Sequence, residues 1–278
     1  MLLERQPEWL EEQGYMLRSR YRPEWIPSYT EDDDPYDFED GGLLMHPSTL
    51  DATRIATNEL VMLKRVLQQA FEGLYFMHLC HVAHRDCGRQ NIMMDPKPLF
   101  PKMYHPRYTN YSRDFKGVAK YYNRTSMPVQ YYLIDFGLSR RYDPENISPR
   151  EEPIIGGDKS VPEFKNWTEA MDPFPTDVYY IGNVIRVDFL RIYRNLEFMK
   201  PLIHDMVQDD PSKRPTMEEV VNRFSETYHN LPKSILRSRL AGRRESNHPI
   251  LFIQRHVRHY IRTVIHILLG RNPMPTPS

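Results

Sequence analysis

The residues whose types and spacing could carry chemistry lie in two short segments of the 278-residue chain. Residues 84–91 read H-R-D-C-G-R-Q-N, and residues 135–137 read D-F-G. They supply carboxylates and an amide, and such hard oxygen ligands suit Mg²⁺, which keeps its waters and binds few protein groups. The alternative is that these residues merely occupy turns. It is disfavoured, because fixed patterns of this length arise by accident in roughly one such chain in ten thousand.

The two segments resemble the catalytic lobe of the eukaryotic protein kinases. The resemblance implies an α+β fold with a mostly helical C-terminal lobe and a truncated or incomplete, β-rich N-terminal lobe. It also implies ATP and Mg²⁺ as cofactors, and phosphoryl transfer to protein hydroxyls with Asp86 accepting the hydroxyl proton. Asn91 and Asp135 would be the metal ligands, and Arg85 would pair with a phosphorylated residue of the activation segment.

Three features further along the chain strengthen the resemblance. Residues 161–163, V-P-E, stand where the family has A-P-E at the end of its activation segment. Asp177 matches the aspartate of a family helix that braces the backbone of the catalytic loop. Arg214 matches the arginine that pairs with the A-P-E glutamate, here Glu163. The resemblance therefore implies a catalytic lobe over about residues 67–230.

The substrate side of the site departs from the family pattern in two ways. Position 88 is glycine where serine/threonine kinases usually carry lysine, and Arg89 stands at the wrong offset for the tyrosine-kinase form. Neither motif therefore identifies the acceptor hydroxyl, and we favour serine or threonine over tyrosine only as the general expectation for the family. The spacing of 44 residues from Asn91 to Asp135 is several-fold longer than the family norm, because of a basic, tyrosine-rich insert at residues 96–128. We interpret the insert as surface decoration rather than as a substrate-docking element.

The nucleotide side of the site matches the family least. No G-x-G-x-x-G occurs in the sequence, so a phosphate-covering loop is not evident. Residues 61–64, V-M-L-K, stand in for the family's V-A-I-K and make Lys64 the candidate phosphate contact, on the second strand of a hairpin over 51–66. The competing interpretation makes 58–79 one long helix with Lys64 on its solvent face. Residues 51–55, D-A-T-R-I, are also similar to kinase-like proteins of basidiomycete fungi.

Two functions remain open because the interval from Lys64 to His84 is only 20 residues. Kinases place a glutamate-bearing helix, two strands, the adenine-binding hinge and another helix there, on the order of 60 to 80 residues. The retention of Asp86, Asn91 and Asp135 favours an active phosphotransferase. The missing hinge and glutamate favour a pseudokinase, a scaffold that binds proteins and transfers no phosphate.

The elements that must position these residues are predicted from hydrophobic periodicity. Apolar residues three or four apart predict a helix over about residues 66–79, directly before the 84–91 segment. Short apolar strands are expected at 91–95 and 129–136, on either side of the insert. Helical periodicity resumes after residue 165. It predicts helices over about 176–192, 196–207 and 216–228.

The composition, 40% hydrophobic and 27% charged, is that of an ordinary globular protein. Two cysteines exclude a disulfide framework, and no secretory signal or transmembrane stretch is evident, so we expect a cytoplasmic or nuclear protein. The zero net charge conceals fourteen acids against five bases in residues 1–60 and nine bases against one acid in residues 230–278. The predicted units are an abridged N-terminal lobe at 1–66, the catalytic lobe at 67–230 and a basic tail at 231–278.

Two segments could bind partners other than a protein substrate. The 96–128 insert holds seven bases against Asp114 alone, interleaved with tyrosines as on single-stranded nucleic-acid surfaces, but a surface loop is the favoured interpretation. Residues 250–269 predict a basic amphipathic helix that could lie on an anionic membrane, although docking on its own domain is favoured. Its basic face is expected to carry Arg255, Arg258, Arg262, His259 and His266.

Overall fold

The computed structural model describes residues 60–105, 108, 110–122, 127, 129–146, 148–154, 158–165, 169–245 and 249–270, without the side chains of residues 249, 251 and 266. The interpretations of residues 1–59, including the first hairpin strand and the similarity to fungal kinase-like proteins, lie outside these residues. Within them the chain is α+β, because helices are joined to two small antiparallel sheets.

One α-helix precedes the four strands along the chain, and the other α-helices follow them. The strands are β1 (Val82–Ala83), β2 (Ile92–Met94), β3 (Tyr131–Leu133) and β4 (Arg140–Arg141). The helices are α1 (Leu60–Leu79), α2 (Pro173–Ile185), α3 (Lys200–Met206), α4 (Met217–His229), α5 (Lys233–Leu236) and α6 (Pro249–Leu268). The predicted helices after residue 165 are thus confirmed with shifted bounds.

Helix α1 forms because its apolar side chains recur every three or four residues and make one continuous face. Leu60, Leu63 and Leu67 belong to that face, and all three are buried where α1 packs on α4 and β3. The hairpin predicted over 51–66 is therefore wrong for residues 60–66, which are helical. A strand would have divided this apolar stripe between two faces of a sheet, whereas a helix buries it on one side. The domain boundary predicted after residue 66 falls inside α1.

The two small sheets hold the ends of the candidate site together. Strands β2 and β3 pair antiparallel with Ile92 opposite Leu133, which confirms the strands expected on either side of the insert. Strands β1 and β4, which the sequence did not predict, pair with Val82 opposite Arg141. The side-chain carbonyl of Gln69 on α1 accepts the N–H of Tyr131 at 2.7 Å, so the helix also fixes the start of β3.

Helices α2 and α3 cross in close contact at Gly182. A Cβ atom at this position would lie 2.8 Å from the Cβ of Met206 and 3.1 Å from Cγ1 of Val207, so only glycine fits. The chain then continues α2 as a π-helical turn, Arg186–Leu190, and π turns within helices are frequent at functional sites.

Helix α4 begins at a reciprocal capping box. The Thr216 hydroxyl accepts the N–H of Glu219 at 3.2 Å, and the Glu219 carboxylate accepts the N–H of Thr216 at 2.8 Å. Both bonds satisfy donors that a helix start otherwise leaves unpaired. Beyond α4, Leu236 and Leu240 are buried in the same apolar core as α1, so this part of the predicted tail belongs to the lobe.

The described part of the insert is anchored by few side chains. Tyr104 is buried and contacts the ring of Phe100, with centroids 4.7 Å apart. By contrast, Tyr111 and Phe115 are exposed and stacked on each other, with centroids 5.0 Å apart. The insert thus attaches through buried residues that include Leu99, Tyr104 and Ala119, and it displays aromatic rings on its outer side.

Helix α6 ends the described chain and contains the predicted amphipathic segment 250–269 almost entirely. In the described ranges, no helix combines the length and the apolar character needed to cross a membrane.

Candidate active site

A buried carboxylate shapes the 84–91 segment. The two oxygens of Asp177, at the start of α2, accept the backbone N–H groups of His84 and Arg85, each at 2.7 Å. Asp177 is fully buried and also contacts Nε2 of His78 at 3.2 Å. Arg85 adopts a left-handed backbone with φ of 67°, a strained conformation for a residue with a side chain. The predicted bracing of this backbone by Asp177 is therefore present.

The imidazole of His84 ties the 84–91 segment to the end of β3. Its Nε2 lies 3.1 Å from the carbonyl oxygen of Ile134, and its Nδ1 accepts the N–H of Asp86 at 3.3 Å. This pair of bonds requires the proton on Nε2, which donates to the carbonyl. Complete burial lowers the pKa of His84, and the ring is therefore neutral at pH 7. The neighbouring residues Asp86 and Asp135 are thereby held on adjoining segments.

Asp86 presents one oxygen that is engaged and one that is not. The amide nitrogen of Asn91 donates to the Asp86 backbone carbonyl at 2.7 Å and to its Oδ2 at 3.0 Å. The other oxygen, Oδ1, is buried and has no hydrogen-bond partner among the described residues. Burial raises the pKa of Asp86, the Asn91 bond lowers it, and the charges of Asp135 and Asp177 raise it. Asp86 is therefore a carboxylate with one oxygen available to a proton or cation.

Asp135 is brought beside Asn91 by the β2–β3 pairing. The N–H of Ile134 donates to the Asn91 carbonyl oxygen at 2.9 Å, at the end of the register in which Ile92 faces Leu133. Asp135 has a left-handed backbone, with φ of 64°, and its side chain is exposed. Two of the strained residues in the described chain, Arg85 and Asp135, thus belong to one site, as is common where function fixes the backbone.

The oxygen atoms of this site fit a hard divalent cation. Asp135 offers an exposed carboxylate, Asp86 an unpartnered carboxylate oxygen, and Asn91 an amide oxygen that makes no hydrogen bond among the described residues. In the described ranges, no three or more His, Cys, Asp or Glu side chains cluster as a metal-binding group. This donor set is nevertheless sufficient for Mg²⁺, which retains waters and takes one or two carboxylates from the protein.

Lys64 does not join the site. It lies on α1, and its ammonium group is 5.8 Å from the centre of the Tyr228 ring on α4. Burial lowers its pKa, which the charge of Glu72 partly restores. Nine residues of helix, about 14 Å along the axis, separate it from Gly73, which packs on Leu133. The strand predicted to carry Lys64 is therefore wrong, because V-M-L-K continues the apolar period of a helix, and the phosphate contact itself stays a prediction.

Arg85 holds the segment that follows D-F-G. Its guanidinium pairs with the Glu151 carboxylate at 3.3 Å and donates to the carbonyl oxygens of Leu138 and Glu152 at 3.3 and 3.0 Å. The resemblance assigned this side chain to a phosphorylated partner. In the structure this side chain pairs with Glu151, an acidic residue of the segment itself. The two adjacent acidic residues at 151 and 152 are the sequence feature that could have predicted this pair.

The predicted pair of Glu163 and Arg214 is present and buried. Two parallel hydrogen bonds of 2.6 and 2.7 Å join the guanidinium to the carboxylate, and both side chains are almost inaccessible. The carboxylate also accepts the hydroxyl of Thr176 at 3.2 Å, one residue before Asp177. The end of the segment is thus attached to the helix that braces the 84–91 segment.

A cavity of about 460 Å³ opens beside Gly88 and Arg89, two and three residues after Asp86. Arg89 pairs across it with Asp188 of the π turn at 3.3 Å. Its other walls include Asp158, Ser160, Tyr180, Asn183 and Arg186. Sequence reasoning missed these residues, because Asp158 and Asn183 hydrogen-bond across 25 positions and no local pattern links them.

Neither a scan against protein-family models nor a search of curated proteins gives a match to this chain.

Proposed function

We propose that this chain is a protein kinase-like phosphotransferase that moves a phosphoryl group from ATP to a protein hydroxyl, serine or threonine in preference to tyrosine. The observation that supports it is that Asp86, Asn91 and Asp135 lie on adjoining backbone: Asn91 donates to Asp86, and the N–H of Ile134, next to Asp135, donates to the Asn91 carbonyl oxygen. Buried Asp177 holds this arrangement through two backbone hydrogen bonds. Positioned oxygens of this kind are what phosphoryl transfer requires of a protein.

In this proposal Asp86 accepts the proton of the substrate hydroxyl at Oδ1. Burial raises its pKa, which makes the carboxylate a better base, and the Asn91 bond opposes that rise. Asn91 thus both orients Asp86 and, with Asp135, would hold Mg²⁺. The cation, when bound, offsets the negative charge of the nucleotide phosphates.

The acceptor hydroxyl would enter through the cavity beside Gly88. Gly88, which lines this cavity two residues after Asp86, has no side chain where the kinase family usually has lysine. The cavity is lined by charged side chains, Arg89 and Asp188 among them, as well as by apolar surface, and a peptide segment carries both kinds of group. This supports a protein substrate.

A pseudokinase is the second candidate, and the position of Lys64 favours it. Lys64 lies on a helix over the Tyr228 ring, not on the strand from which the lysine of the kinase family contacts the nucleotide phosphates. Loss of that contact would weaken the positioning of the nucleotide even with the oxygen ligands intact. The same fold would then serve to bind proteins.

Nucleotide binding and phosphate transfer can be measured separately. We expect Mg²⁺·ATP at a hundred times its dissociation constant to stabilise the full chain by about 2.7 kcal/mol, seen as a higher midpoint of thermal unfolding. Asp135→Asn should abolish the Mg²⁺-dependent part of this shift. Glu226→Gln, which neutralises an exposed carboxylate on α4, is the matched control and should keep the shift.

Transfer of radiolabelled phosphate to a panel of proteins then distinguishes the two candidates. Transfer that Asp86→Asn lowers at least about a hundredfold supports the phosphotransferase. A thermal shift without transfer assigns the chain to the pseudokinases. Equal Mg²⁺ dependence in wild type and Asp135→Asn contradicts the proposed site altogether.

A further inference from the structure

Helix α6 is attached to the rest of the described chain by its polar side. Nη1 of Arg255 donates to Oε1 of Glu245 at 2.8 Å, and Nε2 of His259 is 2.8 Å from the carbonyl oxygen of Arg237. His259 is half-buried at this contact. The favoured expectation, in which the apolar stripe docks on the domain, is therefore the reverse of the observed orientation.

The apolar side of α6 points into solvent. Its side chains recur three and four residues apart and form one stripe along the helix. Each of those named here exposes between 47% and 74% of its surface. The stripe consists of Ile250, Ile253, Val257, Tyr260, Ile261 and Ile265. Soluble proteins rarely leave a contiguous apolar surface of this kind uncovered unless it binds something.

The chain segment that contains the stripe is rich in basic residues. Residues 246–278 contain no aspartate or glutamate, and residues 230–278 hold nine basic residues against one acid. Arg258 is exposed and lies three residues from Ile261 on the helix, so it flanks the stripe. A long arginine side chain in this position can lay its carbons on apolar surroundings and keep its charge among anionic groups.

We propose that α6 is an interfacial helix that binds the surface of an anionic lipid bilayer, with the apolar stripe among the acyl chains and Arg258 at the level of the headgroups. An exposed apolar face, a basic polar face and the absence of acidic residues are together the features of helices that lie in this interface. The same helix, although 20 residues long, does not have the apolar character needed to span the bilayer. The proposal does not depend on phosphotransferase activity.

Sedimentation of the full chain with lipid vesicles tests the proposal. We expect binding to phosphatidylcholine vesicles that contain about one quarter phosphatidylserine, and much weaker binding to phosphatidylcholine alone. The triple variant Ile253→Gln, Val257→Gln and Ile261→Gln should bind the mixed vesicles at least about tenfold more weakly. Arg258→Gln should weaken binding to the mixed vesicles about fivefold and leave binding to neutral vesicles unchanged.

A matched control changes three exposed aliphatic residues elsewhere, and it should bind vesicles as the wild type does. The control variant is Val118→Gln, Ile192→Gln and Ile235→Gln. Glutamine is a good helix former, so the change in α6 removes apolar surface and keeps the helix. Equal loss of binding in the control would show that the effect is not specific to α6 and would overturn the proposal.

Three further results would also overturn it. Equal binding to neutral and mixed vesicles would remove the role of charge. If the wild type bound no vesicles but formed dimers, and the triple α6 variant did not dimerise, the stripe would be assigned to a second copy of the chain. If the wild type bound no vesicles and the triple α6 variant unfolded at a lower temperature than the wild type, the stripe would be covered within the chain itself.

Discussion

Asp177 is buried at a position where an isolated charge would be costly. The cost is offset because its carboxylate accepts two backbone N–H groups at 2.7 Å and contacts His78, so each oxygen is engaged. The strain at Arg85, with φ of 67°, is sustained by the same bonds. One side chain therefore determines where the backbone places Asp86.

Asp177→Asn should destabilise the fold by about 2 kcal/mol. An amide has one acceptor oxygen, so it can keep the N–H of His84 or of Arg85, and its NH₂ group then faces the other donor. Urea unfolding with linear extrapolation measures the change. Asp172→Asn is the control on the same helix. Asp172 caps α2 by accepting the Phe174 N–H, and asparagine caps equally well, so stability should stay within about 0.5 kcal/mol. Equal losses in both variants would contradict the special role of Asp177.

The chemistry-bearing residues could be predicted from sequence where a local pattern fixes them. Asp86 and Asn91 are five apart in one loop, and the three–four apolar period found α1. Lys64 was misplaced because a four-letter match cannot distinguish a strand from a helix when the apolar period continues through it. The outward stripe of α6 was also beyond prediction, since periodicity shows that a face is apolar but not which way it points.

At the scale of elements, the segment from Asp135 to residue 165 is attached by arginine at its middle and at its end. Arg85 holds its middle through Glu151, and Arg214 holds its end through Glu163. These arginines come from the 84–91 segment and from the turn before α4. The described part of this segment is therefore held by ion pairs between side chains of the chain itself.

Glu163→Gln should destabilise the chain by about 3–5 kcal/mol, because it leaves the Arg214 guanidinium buried without an opposite charge. Hydrogen exchange at residues 162–165 should accelerate more than exchange in α1, because the 3-10 turn formed by these residues loses its attachment to Arg214. Arg223→Gln breaks the half-exposed pair with Asp205 and should cost less than about 1 kcal/mol. If the two variants are equally stable, the buried pair does not anchor the segment.

At the scale of the whole molecule, two buried groups of the site oppose each other as pH falls. Burial lowers the pKa of His84, so the unfolded chain takes up its proton first and stability is lost as pH falls below about 6.5. Burial raises the pKa of Asp86, so the folded chain takes up that proton first and gains stability on acidification. The Asp86 window runs from the raised pKa of the folded chain down to the ordinary aspartate pKa near 3.9. A variant at His84 separates the two contributions.

Between about pH 6.5 and pH 5.5 we expect the free energy of unfolding to fall with a slope approaching 1.4 kcal/mol per pH unit for His84, about the limit for one proton. His84→Gln should lower stability at about pH 7.5, because it loses the bonds to Ile134 and Asp86, but should flatten the slope. The stability difference between wild type and variant therefore narrows on acidification. His229→Gln, at the exposed end of α4, should keep the wild-type slope. Urea unfolding at several pH values measures all three chains, and a slope that survives in His84→Gln would place the acid sensitivity elsewhere in the molecule.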